Sequence, residues 1–126
     1  MKGRVVKAGQ AKAEALVTNE AMGWYACVDP DTGVVTDKGH ELEGQNVAGK
    51  IVVFTTGKGS TVGSYTLYAL KKNGKAPAAM VCEESEPIVA VGAIISDIPM
   101  VDKIDISQIK TGDVVEVNGD EVTVSE

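Results

Sequence analysis

Runs of apolar residues separated by turn-forming clusters recur along this chain and predict a domain rich in short strands. Residues 50–55 are almost uniformly apolar, a pattern typical of a strand covered on both faces in a parallel sheet. Residues 77–82 have the same character. Between them, residues 65–72 carry helix formers and are followed by an Asn-Gly pair that favours a helix end. This stretch therefore predicts one β-loop-α-β unit over residues 50–82.

The segments on either side of this unit predict further strands. They are residues 4–7 and 15–17, with a turn at Gly9 between them; residues 24–28, which stop at the turn sequence of residues 29–33; residues 88–95, interrupted by Gly92; and residues 98–101. Residues 11–16 also have helical propensity, so both possibilities stay open there.

The carboxyl-terminal tail predicts a β-hairpin. Valines alternate with polar residues on both sides of Asn118-Gly119, the pair favoured in a tight primed turn. We expect this hairpin, about residues 111–126, to close a barrel-like sheet. About eight strands and two helices predict a β-rich α/β fold. The length of 126 residues indicates a single domain over residues 1–126.

Charge and cysteine content narrow the possible functions. The chain has 12 basic and 18 acidic residues, a formal charge of −6, which argues against a nucleic-acid or anionic-membrane binder. No apolar run approaches the roughly 18 residues of a membrane helix, and no signal peptide is evident, so we expect a cytoplasmic protein. Cys27 and Cys82 could pair, but a chain of this length and apolar content does not depend on a disulfide, so we expect two small buried hydrophobes. Two cysteines cannot by themselves hold an iron–sulfur cluster.

A glycine-rich loop over residues 57–64 follows the predicted buried strand. Its three glycines let the backbone turn tightly and a ligand approach closely, and Ser60 or Thr61 could cap the next helix. Because a helix N-terminus binds anions, the loop and Lys58 predict a carboxylate or phosphate site. It is not a P-loop, since the lysine precedes Gly59. The alternative is an ordinary strand-to-helix turn with a serine cap.

Other reactive side chains are few. His40 is the only histidine, lies in polar sequence and is expected to be solvated at the surface. A Ser-His-Asp or Cys-His arrangement therefore has weak support. The acidic run over residues 83–86 predicts a solvated turn or, alternatively, an acidic contact patch. Asp29 and Asp31 flank a proline, which is more typical of a turn than of a cation site.

Several segments of the chain, taken in order and spacing, match one known family. They are Gly9 to Val17, Gly23-Trp24 with Asp29 to Gly33, His40 with Gly44-Gln45, Val47 to Lys50, Gly57 to Ser64, Pro77 to Ala79, and Gly92 to Pro99. Over nearly all of its length up to about Val101, the chain thereby resembles the small, swivelling-domain subunit of aconitase X enzymes.

The resemblance implies a swivelling β/β/α domain, like the carboxyl-terminal domain of aconitases. Aconitase-type enzymes carry their base serine directly after a glycine, so the resemblance implies Ser60 as the catalytic base. It also directs substrate binding to the loop, with the expected residues Gly57, Lys58, Gly59, Thr61 and Ser64. Ordinary aconitases continue this serine with Ser-Arg, where this chain has Thr61 and Val62. The substrate must therefore be held differently, by backbone N–H groups or by the partner.

The implied reaction is the removal of water from (R)-5-phosphomevalonate to give trans-anhydromevalonate 5-phosphate, a step of the archaeal mevalonate pathway to isoprenoids. The implied partner is a large aconitase X-type subunit, in a heterodimer. That subunit would hold a 4Fe-4S cluster, and this chain would bind no metal. The alternatives are the small subunit of a cis-3-hydroxyproline dehydratase, or a non-catalytic anion-binding or interaction module in which Ser60 only caps a helix.

Overall fold

The computed structural model describes residues 1–24, 27–57 and 61–125, and only the backbone of residues 61–63. Its strands are β1 Arg4–Lys7, β2 Gln10–Val17, β3 Ile51–Phe54, β4 Ala79–Cys82, β5 Met100–Asp102, β6 Val114–Asn118 and β7 Glu121–Ser125; its helices are α1 Thr61–Lys72 and α2 Pro87–Ile95, with a short 3-10 helix at Ile106–Gln108. Within the described residues, the seven strands form one sheet in the order β1-β5-β4-β3-β2-β6-β7.

The predicted β-loop-α-β unit is confirmed. β3 and β4 are parallel neighbours, with Ile51 opposite Ala79 and Phe54 opposite Cys82. Every residue of both strands is buried, as the continuous apolar runs predicted. After α1, Gly74 adopts a φ of 72°, the left-handed conformation that ends a helix at little cost for glycine.

The sheet separates two apolar clusters. On one side, β3 and β4 pack against α1, α2 and the long loop after β2, with Trp24 edge-on to Phe54 at a ring-centroid distance of 6.3 Å. On the other side, Ile51 and Val53 pack with the C-terminal hairpin and with residues 104–109. This division explains why both faces of the central strands are apolar.

The C-terminal hairpin is confirmed and joins the two edges of the curled sheet. β6 and β7 pair through a tight turn at Gly119, whose φ is 60°. The residues just before β1 pair with β7: the N–H of Gly3 donates to the Asp120 carbonyl at 2.8 Å, and the N–H of Val122 donates to the Met1 carbonyl at 2.7 Å. The sheet is therefore barrel-like, as expected.

The predicted strand over residues 88–95 is wrong, because this segment is helix α2. The Glu86 carboxylate accepts hydrogen bonds from the N–H groups of Ile88 and Val89 at 3.1 Å, and Pro87 occupies the first turn, where no N–H is needed. Gly92 allows the two helices to approach, since a Cβ there would lie 2.7 Å from Cδ1 of Leu67. An unbroken apolar run has no periodicity to distinguish a strand from a helix.

The predicted strand over residues 24–28 is also wrong for its described residues. Trp24 belongs to no strand, and Val28 forms only an isolated bridge to Val35; Tyr25 and Ala26 lie outside the described residues. The turn at residues 29–33, with Gly33 at a φ of 80°, reverses the chain direction directly after Val28. The pairing between Val28 and Val35 therefore does not continue into a longer strand. Seven strands are therefore described rather than about eight.

Residues 11–16, for which helix and strand were both possible, belong to β2. The strand alternates, with Gln10, Lys12 and Glu14 exposed and the intervening alanines partly buried. It pairs with β3 on one side and with β6 on the other. The Gln-Ala-Lys-Ala-Glu-Ala sequence contains this period of two, and tertiary pairing overrides its helical propensity.

Candidate active site

The glycine-rich loop leaves the carboxyl end of β3, the edge of a parallel sheet at which ligand sites gather. Its first residue, Gly57, is buried and bridges to Met22, whose N–H donates to the Thr56 carbonyl at 2.9 Å. Lys58, Gly59 and Ser60 lie outside the described residues, and α1 begins at Thr61. The loop is therefore anchored at its start and continues into a helix N-terminus.

Gly57 lies against the first turn of α2. A Cβ at this position would be 2.5 Å from Cγ2 of Val89 and 3.1 Å from Cβ of Glu86. Only glycine allows the first turn of α2 to lie against the start of the loop. Because the Glu86 carboxylate already accepts from the first N–H groups of α2, this helix N-terminus is not available to an anionic ligand.

Ser64, another predicted site residue, lies one turn into α1 and is half-buried. A Cβ at Gly92 would be 3.1 Å from Cα of Ser64, so Ser64 faces α2 at the helix crossing. Gly57 and Ser64 thus each lie against α2, Gly57 at Val89 and Ser64 at Gly92. For Thr61 it describes the backbone only.

His40 is buried, and its predicted solvated position is wrong. Its side chain is only 4% exposed. Nδ1 accepts from the N–H of Leu42 at 3.0 Å, so the ring hydrogen is assigned to Nε2, which donates to the Ala21 carbonyl at 3.1 Å. His40 thereby holds the segment that pairs with Gly57 through Met22. Polar neighbours in sequence concealed this role.

Glu41, the residue after His40, fixes the same segment through further hydrogen bonds. The Thr18 hydroxyl and the N–H of Asn19 both donate to Oε1 of Glu41, at 2.7 and 2.9 Å. These hydrogen bonds, that of Thr18 first, lower the pKa of Glu41. The long loop after β2 is thus tied to residues 18–22, which in turn brace the start of the glycine-rich loop. Composition carried no signal for this network.

A second buried network lies near the carboxyl end of β5. The Asp102 side chain is fully buried and accepts from Nη2 of Arg4 at 2.6 Å and from the Ser85 hydroxyl at 2.7 Å. Burial would raise the pKa of Asp102, but the hydrogen bonds from Arg4 and Ser85 outweigh it and the pKa is lowered. Sequence reasoning missed Asp102, because Arg4 lies 98 positions away.

The acidic run over residues 83–86 is solvated where it begins, at the exposed Glu83 and Glu84, as predicted, and it also makes internal contacts. Ser85 binds Asp102, and Glu86 caps α2. Oε2 of Glu84 forms an ion pair with Nζ of Lys103 at 2.6 Å. Three of the four side chains therefore have internal partners.

The profile of the aconitase X swivel domain matches residues 1–125. This chain belongs to the aconitase X swivel-domain family. Among curated relatives, a phosphomevalonate dehydratase small subunit from Thermococcus kodakarensis is 55% identical, covering 95% of this chain and 90% of the relative. A phosphomevalonate dehydratase small subunit from Methanosarcina acetivorans is 52% identical, covering 96% of this chain and 86% of the relative.

A solved structure confirms the swivel-domain fold. The crystal structure of Thermococcus kodakaraensis aconitase X in its holo form matches with a TM-score of 0.97 and 54% identity, over 99% of this chain and 97% of that one. The resemblance drawn from the loop and its flanking segments is thereby confirmed, as is the β-rich α/β swivelling architecture.

The cysteines of this swivel domain do not fit an iron–sulfur cluster. The two do not form a disulfide with each other, and Cys27 is only partly buried, which corrects its expected position in the core. Cys82 is fully buried in the core, and burial first, then the nearby Asp102 and Glu84 charges, raises its pKa to about 12. Among the described residues, no three His, Cys, Asp or Glu side chains could together hold a metal ion.

The remaining candidates have local roles. The N–H of Asp31 donates to Oδ1 of Asp29 at 2.9 Å, so this pair forms the predicted turn.

In the described part of the swivel domain, no helix is both long and apolar enough to span a bilayer.

Replacing Asp102 with asparagine tests the network at the end of β5. We expect Asp102→Asn to lower the free energy of unfolding at neutral pH by about 1.5–2 kcal/mol, the lower part of the range for hydrogen bonds to a charged group. The lower part applies because the Arg4 side chain is 62% exposed and solvent screens the pair.

The effect of Asp102→Asn should depend on pH with a defined sign. The folded-state pKa of Asp102 lies below its ordinary value of 3.8, so its charge stabilises the fold above pH 3.8. That contribution is lost as the pH falls through the folded-state pKa. Urea unfolding at neutral pH and at about pH 3 measures this, and a wild-type advantage that fails to narrow in acid would contradict it.

Proposed function

We propose that this chain is the small subunit of a phosphomevalonate dehydratase and supplies the proton acceptor of the reaction. The two relatives described above that carry this name are 55% and 52% identical, over 95% and 96% of the chain. The observation that supports the proposal is the loop anchored at Gly57, at the carboxyl end of β3. In the sequence, Ser60 directly precedes α1.

The proposed reaction removes a hydrogen and a hydroxyl, together one water, from two neighbouring carbons of (R)-5-phosphomevalonate. The C–H bond next to the carboxylate breaks, and Ser60 takes the proton. The C–O bond of the 3-hydroxyl breaks, a carbon–carbon double bond forms, and the hydroxide and proton leave as water. The product is trans-anhydromevalonate 5-phosphate.

A serine hydroxyl needs a favourable environment to accept such a proton. Its alkoxide is unstable near neutral pH, and preorganised N–H donors can supply several kcal/mol of stabilisation. The first turn of α1, Thr61 to Ser64, contains no acidic residue, and Lys71 and Lys72 lie in its last turn. Without an acidic residue in the first turn, the positive end of the helix dipole is not neutralised at the loop, and the two lysines lie favourably at the negative end.

The same helix N-terminus is proposed to hold the substrate. α2 cannot do so, because Glu86 occupies its first N–H groups. We therefore assign a substrate carboxylate or phosphate to the loop, through the backbone of Gly57, Gly59 and Thr61, the cation of Lys58 and the hydroxyl of Ser64. In ordinary aconitases an arginine that follows the base serine binds the substrate, and in this chain the loop would take over that role.

The reaction is proposed to need a large aconitase X-type subunit in a heterodimer. A 4Fe-4S cluster, implied by the family, would belong to that subunit, because Cys27 and Cys82 do not fit as its ligands. No step assigned to this chain passes through the cluster.

Reconstitution tests the proposal. The isolated chain should be folded, colourless and inactive, whereas the purified pair should show iron–sulfur absorbance and dehydrate (R)-5-phosphomevalonate. The pair is also assayed with cis-3-hydroxyproline, and turnover of this substrate alone would assign the other dehydratase. Iron–sulfur absorbance from the isolated chain would contradict the assignment of the cluster, and a pair inactive on both substrates would favour a non-catalytic module.

A further inference from the structure

Helix α2 consists entirely of apolar residues and glycine, yet it lies partly at the surface. Residues Pro87–Ile95 include no polar side chain, and Val91, Ile94 and Ile95 are each 51% exposed. A helix at the surface of a soluble domain normally carries polar residues on its outer face, and one that is apolar all round is normally buried. We therefore expect α2 to be covered in the working protein.

The exposed residues of α2 form one stripe. Val91, Ile94 and Ile95 follow the spacing that places residues on the same face of a helix, and the partly buried Ile88 continues this face by one turn. Val89 and Ala93 are buried on the opposite face against the domain. The contacts of α2 with the rest of the domain are thus made mainly by this inner face, and the outer stripe is left for another surface.

Helix α1 extends the patch. Tyr65 is 70% exposed and Tyr68 is 49% exposed. Of the seven large hydrophobic side chains that are more than a third exposed among the described residues, five lie on these two helices. We call this set the α1/α2 face: Tyr65, Tyr68, Val91, Ile94 and Ile95. Such a concentration of apolar surface marks an interaction site.

A groove between the helices connects the α1/α2 face with the candidate active site. Its volume is about 300 Å³, and its lining residues are Ser64, Tyr65, Pro87, Ile88 and Val91. Ser64 belongs to both the groove and the loop–helix segment that carries Ser60. A macromolecule seated in the groove would therefore also reach the entrance of the loop.

We propose that the α1/α2 face is the surface on which the large subunit docks, through an apolar patch of its own. The inference rests on the proposed function, because the reaction requires the loop to face a group that another chain holds. Since α2 has no charge to pair, its partner surface must be apolar at its centre. A membrane is disfavoured by the net charge of −6, which repels anionic lipids.

A charge placed on the stripe tests the docking surface. Ile94→Glu changes a half-exposed side chain that does not line the groove, so the fold and the loop should be preserved. Val114→Glu is the matched control, because Val114 lies on β6 and is 37% exposed. Isothermal titration calorimetry with the purified large subunit should give a Kd at least about tenfold higher for Ile94→Glu and within about twofold of wild type for Val114→Glu.

Activity measurements separate this inference from the proposed function. For Ile94→Glu, turnover of (R)-5-phosphomevalonate should return toward the wild-type value as the large subunit is raised above the new Kd. An unchanged Kd for Ile94→Glu would overturn the docking surface. The docking surface would also be overturned if the isolated wild-type chain dimerises and Ile94→Glu abolishes only this dimerisation. A second copy of the chain would then be the occupant of the face. A pair that never dehydrates the substrate would refute the proposed function, while the two Kd values would still decide the docking surface.

Discussion

Replacing Ser60 with alanine in the assembled two-subunit protein is expected to lower turnover of (R)-5-phosphomevalonate at least about a hundredfold, the scale for removal of a proton-transfer group. The change deletes one hydroxyl oxygen directly before α1 and leaves the apolar α1/α2 face intact. The Kd for the large subunit should therefore stay within about twofold. Steady-state kinetics and calorimetry on the same preparation measure both quantities.

The control for this experiment is Ser125→Ala, which removes an exposed hydroxyl from the end of β7. It should leave both turnover and Kd unchanged. If Ser60→Ala retains near-normal turnover, Ser60 is not the base. If it loses turnover only because the subunits no longer associate, its role is in assembly rather than in proton transfer.

The second large effect is expected at Gly57, where the loop meets α2. In Gly57→Ala the new Cβ would lie 2.5 Å from Cγ2 of Val89, so either the start of the loop or the first turn of α2 must move. Overpacking of this kind costs about 1–3 kcal/mol of stability. Because Ser60 follows three residues later, we expect turnover to fall by roughly tenfold to a hundredfold, the scale of a misplacement of about 1 Å.

A double-mutant cycle shows whether the predicted contact causes the loss. Val89→Ala removes the clashing Cγ2, so the double variant should recover part of the turnover and stability that Gly57→Ala loses. Residues in direct contact show such coupling, whereas independent sites add. Urea unfolding and steady-state kinetics are measured for all four proteins. Strictly additive losses would mean that the approach of α2 does not position the loop.

The confirmed elements share strong local signals. The apolar runs of β3 and β4 predicted buried parallel strands, and Asn118-Gly119 predicted the C-terminal turn. The loop was found from its glycines and from the family resemblance, and the structure places Gly57 and Ser64 each against α2; their roles in substrate binding remain predictions. The roles of Lys58, Gly59, Thr61 and Ser60 remain predictions.

The failures have a common physical cause, which is that burial depends on contacts distant in sequence. His40 is surrounded by polar residues along the chain, yet Ala21, 19 positions earlier, accepts its hydrogen bond. α2 lacks amphipathic periodicity because its inner face packs against the domain and its outer face, on our inference, packs against another subunit. A local pattern cannot distinguish that situation from a buried strand.

For this protein, the order of residues alone determined the features that arise from short-range chemistry: where the chain turns, which runs must be buried, and which loop can approach an anion. Tertiary structure alone decided which distant side chains meet, as Arg4 and Asp102 do, and which glycine lets a helix approach the loop. The physical reason is that turns and strand runs are stabilised within a few residues, whereas buried polar pairs and close packing acquire their stability only when the sheet has brought remote segments together.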